Sequence, residues 1–174
     1  MYRVIDINKI LELFFDNPDG KFHIREIARR TNLHPNTVLK EVKALEKDTL
    51  LIVQKTRAVK EVRVNKDNEL FFVLKKIRNL SCLYLSGLVD NLNKEYNYPE
   101  AIVLFGSYSR GEDTGKSDID IAIITQNELE LDLRKFEKTL GRKIQVHEIN
   151  LNKVGKTFVT TLVNGIVLKG YLNI

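Results

Sequence analysis

The sequence predicts an α+β protein built from two unlike halves, and three observations predict it. The first 66 residues carry three stretches with helical apolar spacing and then two short strand-like runs rich in basic residues. Residues 67–97 continue as a helical segment with a long apolar stripe. Residues 98–174 open on two apolar runs, Ala101–Phe105 and Ile119–Ile124, separated by a polar loop with glycines at 111 and 115.

Taken in order, Ile7, Ile10, Leu11 and Phe14 recur at the spacing of one helix face, which predicts a helix over about 4–15. Asn17-Pro18-Asp19-Gly20 ends it as a turn. Ile24, Ile27, Ala28 and Thr31 repeat the helical spacing, and Asn32-Leu33-His34 is a tight connection. Pro35 suits the first position of a third helix running to about Lys47, with Val38, Val42 and Leu45 as its buried stripe. Residues 50–55 and 61–64 read as two strands joined by Thr56-Arg57-Ala58-Val59-Lys60.

Residues 67–96 read as helix with a break near Asn79 or Gly87. Leu70, Leu74, Ile77, Tyr84, Leu88 and Leu92 form the stripe. It is too apolar for a free linker and is expected to pack on both domains or on a second copy of itself, which makes it the best candidate seam for a homodimer. Further on, helices are expected over 129–140 and 151–163, with Gly141 capping the first. A strand is expected over 143–149, and residues 165–170 close the domain.

The most informative stretch runs from Phe105 to Ile121. Five apolar residues bounded by turn formers read as a buried strand, and Gly106 allows a sharp turn or a close approach to a ligand. A helix starting at Ser107 or Tyr108 would offer free N–H groups to a phosphate. Asp118 and Asp120 stand two residues apart, which on a strand places both carboxylates on one face about 6–7 Å apart. Ile119, Ile121 and Ile123 then face a core. Paired carboxylates suit Mg²⁺, which also takes phosphate oxygens. This is equipment for metal-assisted phosphoryl or nucleotidyl transfer.

Gly106-Ser107, nine intervening residues and then Ser117-Asp118-Ile119-Asp120-Ile121 resemble the signature of the minimal nucleotidyltransferases of the DNA polymerase β-like superfamily. The resemblance implies a small mixed-sheet domain over 98–174. It also implies one or two Mg²⁺ ions on Asp118 and Asp120, which carry the catalysis. A nucleoside triphosphate would be bound by Gly106, Ser107, Arg110, Lys116 and Ser117. The acceptors it implies are hydroxyls on a protein, an antibiotic or an RNA end, and minimal members often modify a HEPN-type partner protein encoded beside them. The three helices and basic hairpin of the first 66 residues resemble a winged helix-turn-helix domain of prokaryotic regulators. That resemblance implies double-stranded DNA as a partner. Asn36, Thr37, Lys40 and Lys43 would meet bases, and Arg25, Arg29, Lys47, Lys55, Arg57 and Lys60 would meet phosphates.

One departure matters. The superfamily usually carries a third acid on the strand after the helix, which here reads Lys143-Ile144-Gln145-Val146-His147-Glu148-Ile149. Register puts Gln145 at the acid's position, with His147 on the same face and Glu148 on the other. Gln145 cannot take a proton. Two readings stand: a Mg²⁺-dependent nucleotidyltransferase coupled to DNA binding, or a DNA-binding regulator whose second domain senses nucleotide with little transfer.

Composition sets the bounds. Apolar residues make up 43% and charged residues 29%, as in globular domains. No apolar run approaches the ~20 residues of a membrane span. Cys82 is the single cysteine and is expected to be a small buried hydrophobe. The N-terminal residues lack a signal-peptide pattern, so a cytoplasmic protein is expected. The net charge of +5 is uneven: residues 1–78 hold 17 basic and 11 acidic side chains, residues 79–174 hold 11 and 12. The basic excess belongs with the half that resembles a DNA-binding module.

Overall fold

The computed structural model describes residues 8–55 and 60–173. The chain forms two compact units, Met1–Lys75 and Lys76–Ile174.

In the first unit, α1 (Lys9–Asp16) is followed by β1 (Lys21–His23), α2 (Ile24–Thr31), α3 (Pro35–Lys47), β2 (Leu51–Lys55) and β3 (Lys60–Val64). Ile7 and the turn residues 56–59, Arg57 among them, lie outside the described residues. Helix starts follow local chemistry. The Asn8 side chain accepts from the Ile10 amide, and His34 accepts from the Asn36 amide ahead of Pro35. Asn32, in the left-handed region at φ 54°, ends α2. The three strands form an antiparallel sheet in the order β1-β3-β2. β1 is an addition to the expected pattern. Its three residues hold one apolar side chain, Phe22, too few to register as alternation.

Apolar burial holds this unit together. Ile10, Phe14, Phe15, Ile27, Val38 and Val62 are fully covered. The Phe14 and Phe22 rings meet edge-on at 5.4 Å, a geometry that favours aromatic pairs.

The expected long helix is two: α4 (Glu69–Ser86) and α5 (Leu88–Glu95). The break falls at Gly87, whose φ of 77° suits a residue without Cβ, and not at Asn79. Among the stripe residues Leu88 and Leu92 are buried, whereas Leu70, Ile77 and Tyr84 are exposed. Cys82 is half-buried rather than buried.

The second unit continues with β4 (Ala101–Phe105), α6 (Gly106–Arg110), β5 (Ile119–Ile124), α7 (Arg134–Leu140), β6 (Ile144–Ile149), α8 (Lys156–Val163) and β7 (Ile166–Gly170). The sheet is mixed, in the order β6-β5-β4-β7, with β5 and β6 parallel and the other pairs antiparallel. Its two faces bury separate sets. Ile102, Leu104, Ile119, Ile121 and Ile123 pack with Leu88, Leu92 and Phe136. Ala101, Val103, Ala122 and Ile124 pack with Leu162 of α8.

Two helices are shorter than their spacing suggests. Residues 129–133 are not helical. The Leu129 amide donates to Glu148, and Asp132 accepts from the amide and guanidinium of Arg134, so α7 begins only at Arg134. These bonds, with the exposed Asp132 carboxyl held down at about 2 by the Arg134 guanidinium and amide, give the backbone a partner outside the helix. Likewise, α8 starts after Gly155, not at 151.

The loop between β4 and β5 is pinned from below. Asp113 is completely buried and pairs with Arg142 at 3.1 Å. Asn79 donates to Asp113 at 2.8 Å and to the Tyr108 carbonyl at 3.0 Å. Losing one partner of a buried pair strands the other charge, a cost of about 3–5 kcal/mol. Arg142→Met is therefore expected to destabilise the second unit by about that amount. Urea unfolding followed by circular dichroism checks this, and an unchanged midpoint would refute the importance of the pair.

Candidate active site

The site lies where β4 ends, α6 turns away and β5 begins. Phe105 is the register partner of Asp120, so the glycine after it sits beside that carboxylate. Gly106 adopts φ 74°, and a Cβ there would lie 2.3 Å from Asp120 Oδ2. Two constraints thus demand glycine, the backbone conformation and the close approach of the acid. The short helix α6 begins at Gly106, ahead of the expected start at Ser107 or Tyr108.

Asp118 immediately precedes β5, and Asp120 follows within it, while Ile119, Ile121 and Ile123 are fully buried on the opposite face. Burial raises the Asp120 carboxyl above its ordinary range. His147 opposes that shift, and the neighbouring Asp118 charge adds to it.

The other signature residues divide between surface and scaffold. Arg110 is exposed and paired with Glu112 at 2.7 Å. Lys116 is exposed. The Ser117 hydroxyl accepts from the Thr114 amide at 2.9 Å and so shapes the loop. Ser109, which the motif does not single out, donates to the Gly106 carbonyl at 2.8 Å and braces the turn. Sequence reading missed Asn79, Asp113 and Arg142, because three polar residues far apart in the chain carry no local pattern that marks them as one buried network.

On β6, Gln145 is the register partner of Asp120 and His147 that of Ala122. Gln145 is exposed. Glu148 is removed from the acidic face: it accepts from the Tyr96 hydroxyl, and together with burial this raises the Tyr96 phenol. His147 Nε2 is 4.0 Å from Asp120 Oδ1. Among the described residues, no three His, Cys, Asp or Glu side chains converge into a formed metal cage. Asp120 on β5 and Asp118 just ahead of it are the side chains that could hold a cation keeping water or phosphate oxygens as further ligands, as Mg²⁺ does.

In the first unit, Arg25, Arg29, Asn36, Thr37, Lys40, Lys43, Lys47 and Lys55 are exposed and Lys60 is half-buried. An open pocket is lined by Arg25, Arg29, Pro35, Leu39 and Lys60 among others. No helix among the described residues is long and apolar enough to cross a membrane.

The second unit is thus a mixed sheet in which the Gly106 turn packs against Asp120 of β5, with Asp118 just ahead of that strand. Residues 88–170 match the family described as Polymerase beta, Nucleotidyltransferase. No curated protein and no solved structure matches the chain.

The raised Asp120 carboxyl yields a pH test. A carboxyl whose folded pKa is raised favours folding while protonated and loses that contribution as pH rises through the folded value. In metal-free buffer at neutral pH, Asp120→Asn should therefore melt at or above the wild-type temperature. The gap should close as the pH is lowered through the carboxyl's titration. Thermal melts across pH check this, and a variant that melts lower at neutral pH would contradict the burial argument.

Proposed function

We propose that this protein transfers a nucleotidyl group from a nucleoside triphosphate to a hydroxyl acceptor, and that its first unit binds DNA. The observation that carries the first part is the packing of Asp120 against Gly106, beside Asp118 at the head of the same strand. In this reading Asp118 and Asp120 hold Mg²⁺, which would supply charge neutralisation for the triphosphate and the departing pyrophosphate. Gly106 and Ser107 present backbone N–H groups to the distal phosphates. Arg110 and Lys116 add positive charge from the exposed rim, and Ser117 keeps the loop in shape. The acceptor oxygen bonds to the α-phosphorus as the bond to pyrophosphate breaks.

The helices α1–α3 and the β1-β3-β2 sheet support a winged helix-turn-helix reading of the first unit. So does the exposure of the basic side chains on α2 and α3. In that arrangement α3 would enter the major groove. A second reading is favoured by Gln145: an amide stands beside Asp120 where an acid would take the acceptor's proton. A nucleotide-sensing DNA regulator would need binding without turnover.

The deciding experiment incubates the protein with Mg²⁺ and each α-labelled nucleoside triphosphate, with and without candidate acceptor proteins. A covalent adduct that is lost in Asp118→Asn is expected. Binding of nucleotide without any transfer would favour the regulator. For the first unit, Lys40→Ala combined with Lys43→Ala should weaken DNA binding and flatten its dependence on salt, read by fluorescence anisotropy over a salt series. Unchanged binding would exclude this face.

A further inference from the structure

We propose that the open cavity on the first unit is a regulatory site for a nucleoside polyphosphate, additional to the site around Gly106 and Asp120 on the second unit. A nucleotide held there would occupy cations assigned above to DNA and so release DNA. That consequence rests on the DNA reading; the site itself does not.

The cavity holds about 800 Å³, within the ~300–1,000 Å³ of small-molecule sites. One of its walls is apolar. Pro35 and Leu39 stand one helical turn apart on α3, and Ile24 of α2 completes the wall. Leu39 is half-buried yet lies outside the core cluster, to which α3 contributes Val38, Val42 and Leu45. Core packing therefore does not account for it.

The other wall is cationic. Arg25 and Arg29 lie four residues apart on α2, and Lys60 begins β3. Among the described residues none of the three has an acidic partner. Glu26, the one acid on the lining, is engaged by Arg30 at 2.9 Å. Lys60 also stands directly opposite Lys55 in the β2–β3 ladder. Like charges so placed repel, and an anion at Lys60 offsets that cost.

Three unpaired cations beside an apolar wall select a ligand whose surface is divided in the same way. Free phosphate would leave Pro35 and Leu39 uncovered, and a hydrocarbon would leave the cations unpaired. A nucleoside polyphosphate answers both walls. Its base covers the apolar side chains, and its phosphates take charge-assisted bonds from Arg25, Arg29 and Lys60. It is also the class of polyanion that a second unit matching a nucleotidyltransferase family handles.

The test titrates the full-length protein with ATP carrying a fluorescent methylanthraniloyl label. The buffer holds a chelator and no divalent metal, so a cation-dependent site contributes nothing. Saturable binding of one nucleotide per chain is expected. Arg25→Ala combined with Arg29→Ala should weaken it by about tenfold or more. Leu39→Glu, which puts an acid into the apolar wall, should do the same. Inorganic tripolyphosphate should compete about tenfold less well than ATP, and irradiation with 8-azido-ATP should label the segment 24–39. Equal competition by tripolyphosphate, with binding indifferent to Leu39→Glu, would reduce the cavity to a patch of surface charge and overturn the proposal. So would an absence of saturable binding, or its loss in Asp118→Asn. Unlabelled ATP should also displace a fluorescent DNA duplex. If ATP binds as described but leaves the duplex in place, the nucleotide site stands and the assignment of Arg25, Arg29 and Lys60 to DNA falls. The azide label on wild-type protein decides the location even if a variant does not fold.

Discussion

The buried contact between Asp113 and Arg142 is the constraint on which the second unit's site depends. A loop of glycines, serines and charged residues has no apolar side chains with which to anchor itself. Asp113 gives it an anchor by entering the interior, where a carboxylate is tolerable only with a cationic partner and hydrogen bonds. Arg142 supplies the charge from the turn between α7 and β6. Asn79 supplies a hydrogen bond from α4 and also holds the Tyr108 carbonyl. Three separate elements are thereby tied to one loop. The Gly106 turn and Asp118 flank the tethered segment, so their relative positions are inherited from the anchor.

The site above that anchor works by exclusion. Gly106 has no side chain, and this lets Asp120 pack against the backbone at the strand end. The same closeness removes water from Asp120 and brings it under the influence of Asp118, and both effects disfavour its charged form. On the neighbouring strand His147 Nε2 lies 4.0 Å from the same carboxylate.

The first unit follows a different logic. Its core cluster is aliphatic and aromatic, and most of its charged residues lie outside, Lys75 being the fully buried exception. Nothing in that core requires the basic surface, so the surface is free to answer to a partner. Its exposed lysines and arginines on α2 and α3 are the main contrast with the second unit, whose charges cancel nearly to neutrality.

The sequence alone determined the elements that have strong local codes. Pro35 opened α3 because its ring suits a first helical turn, while the break in the following helix was narrowed only to Asn79 or Gly87, and the structure places it at Gly87. The run from Phe105 to Ile121 declared two buried strands, because the period of a strand is written directly into alternate residues. Tertiary structure decided what no local pattern encodes. The strand β1 exists because β3 offers an edge to pair with, although its own three residues have little preference. The helix expected from Leu129 gave way to an irregular segment because Glu148, distant in sequence, accepts from its backbone. The joining of Asn79, Asp113 and Arg142, and the approach of His147 to Asp120, likewise depend on folding. Each is a meeting of polar atoms contributed by different elements, and only the packed sheet and helices bring those atoms within range.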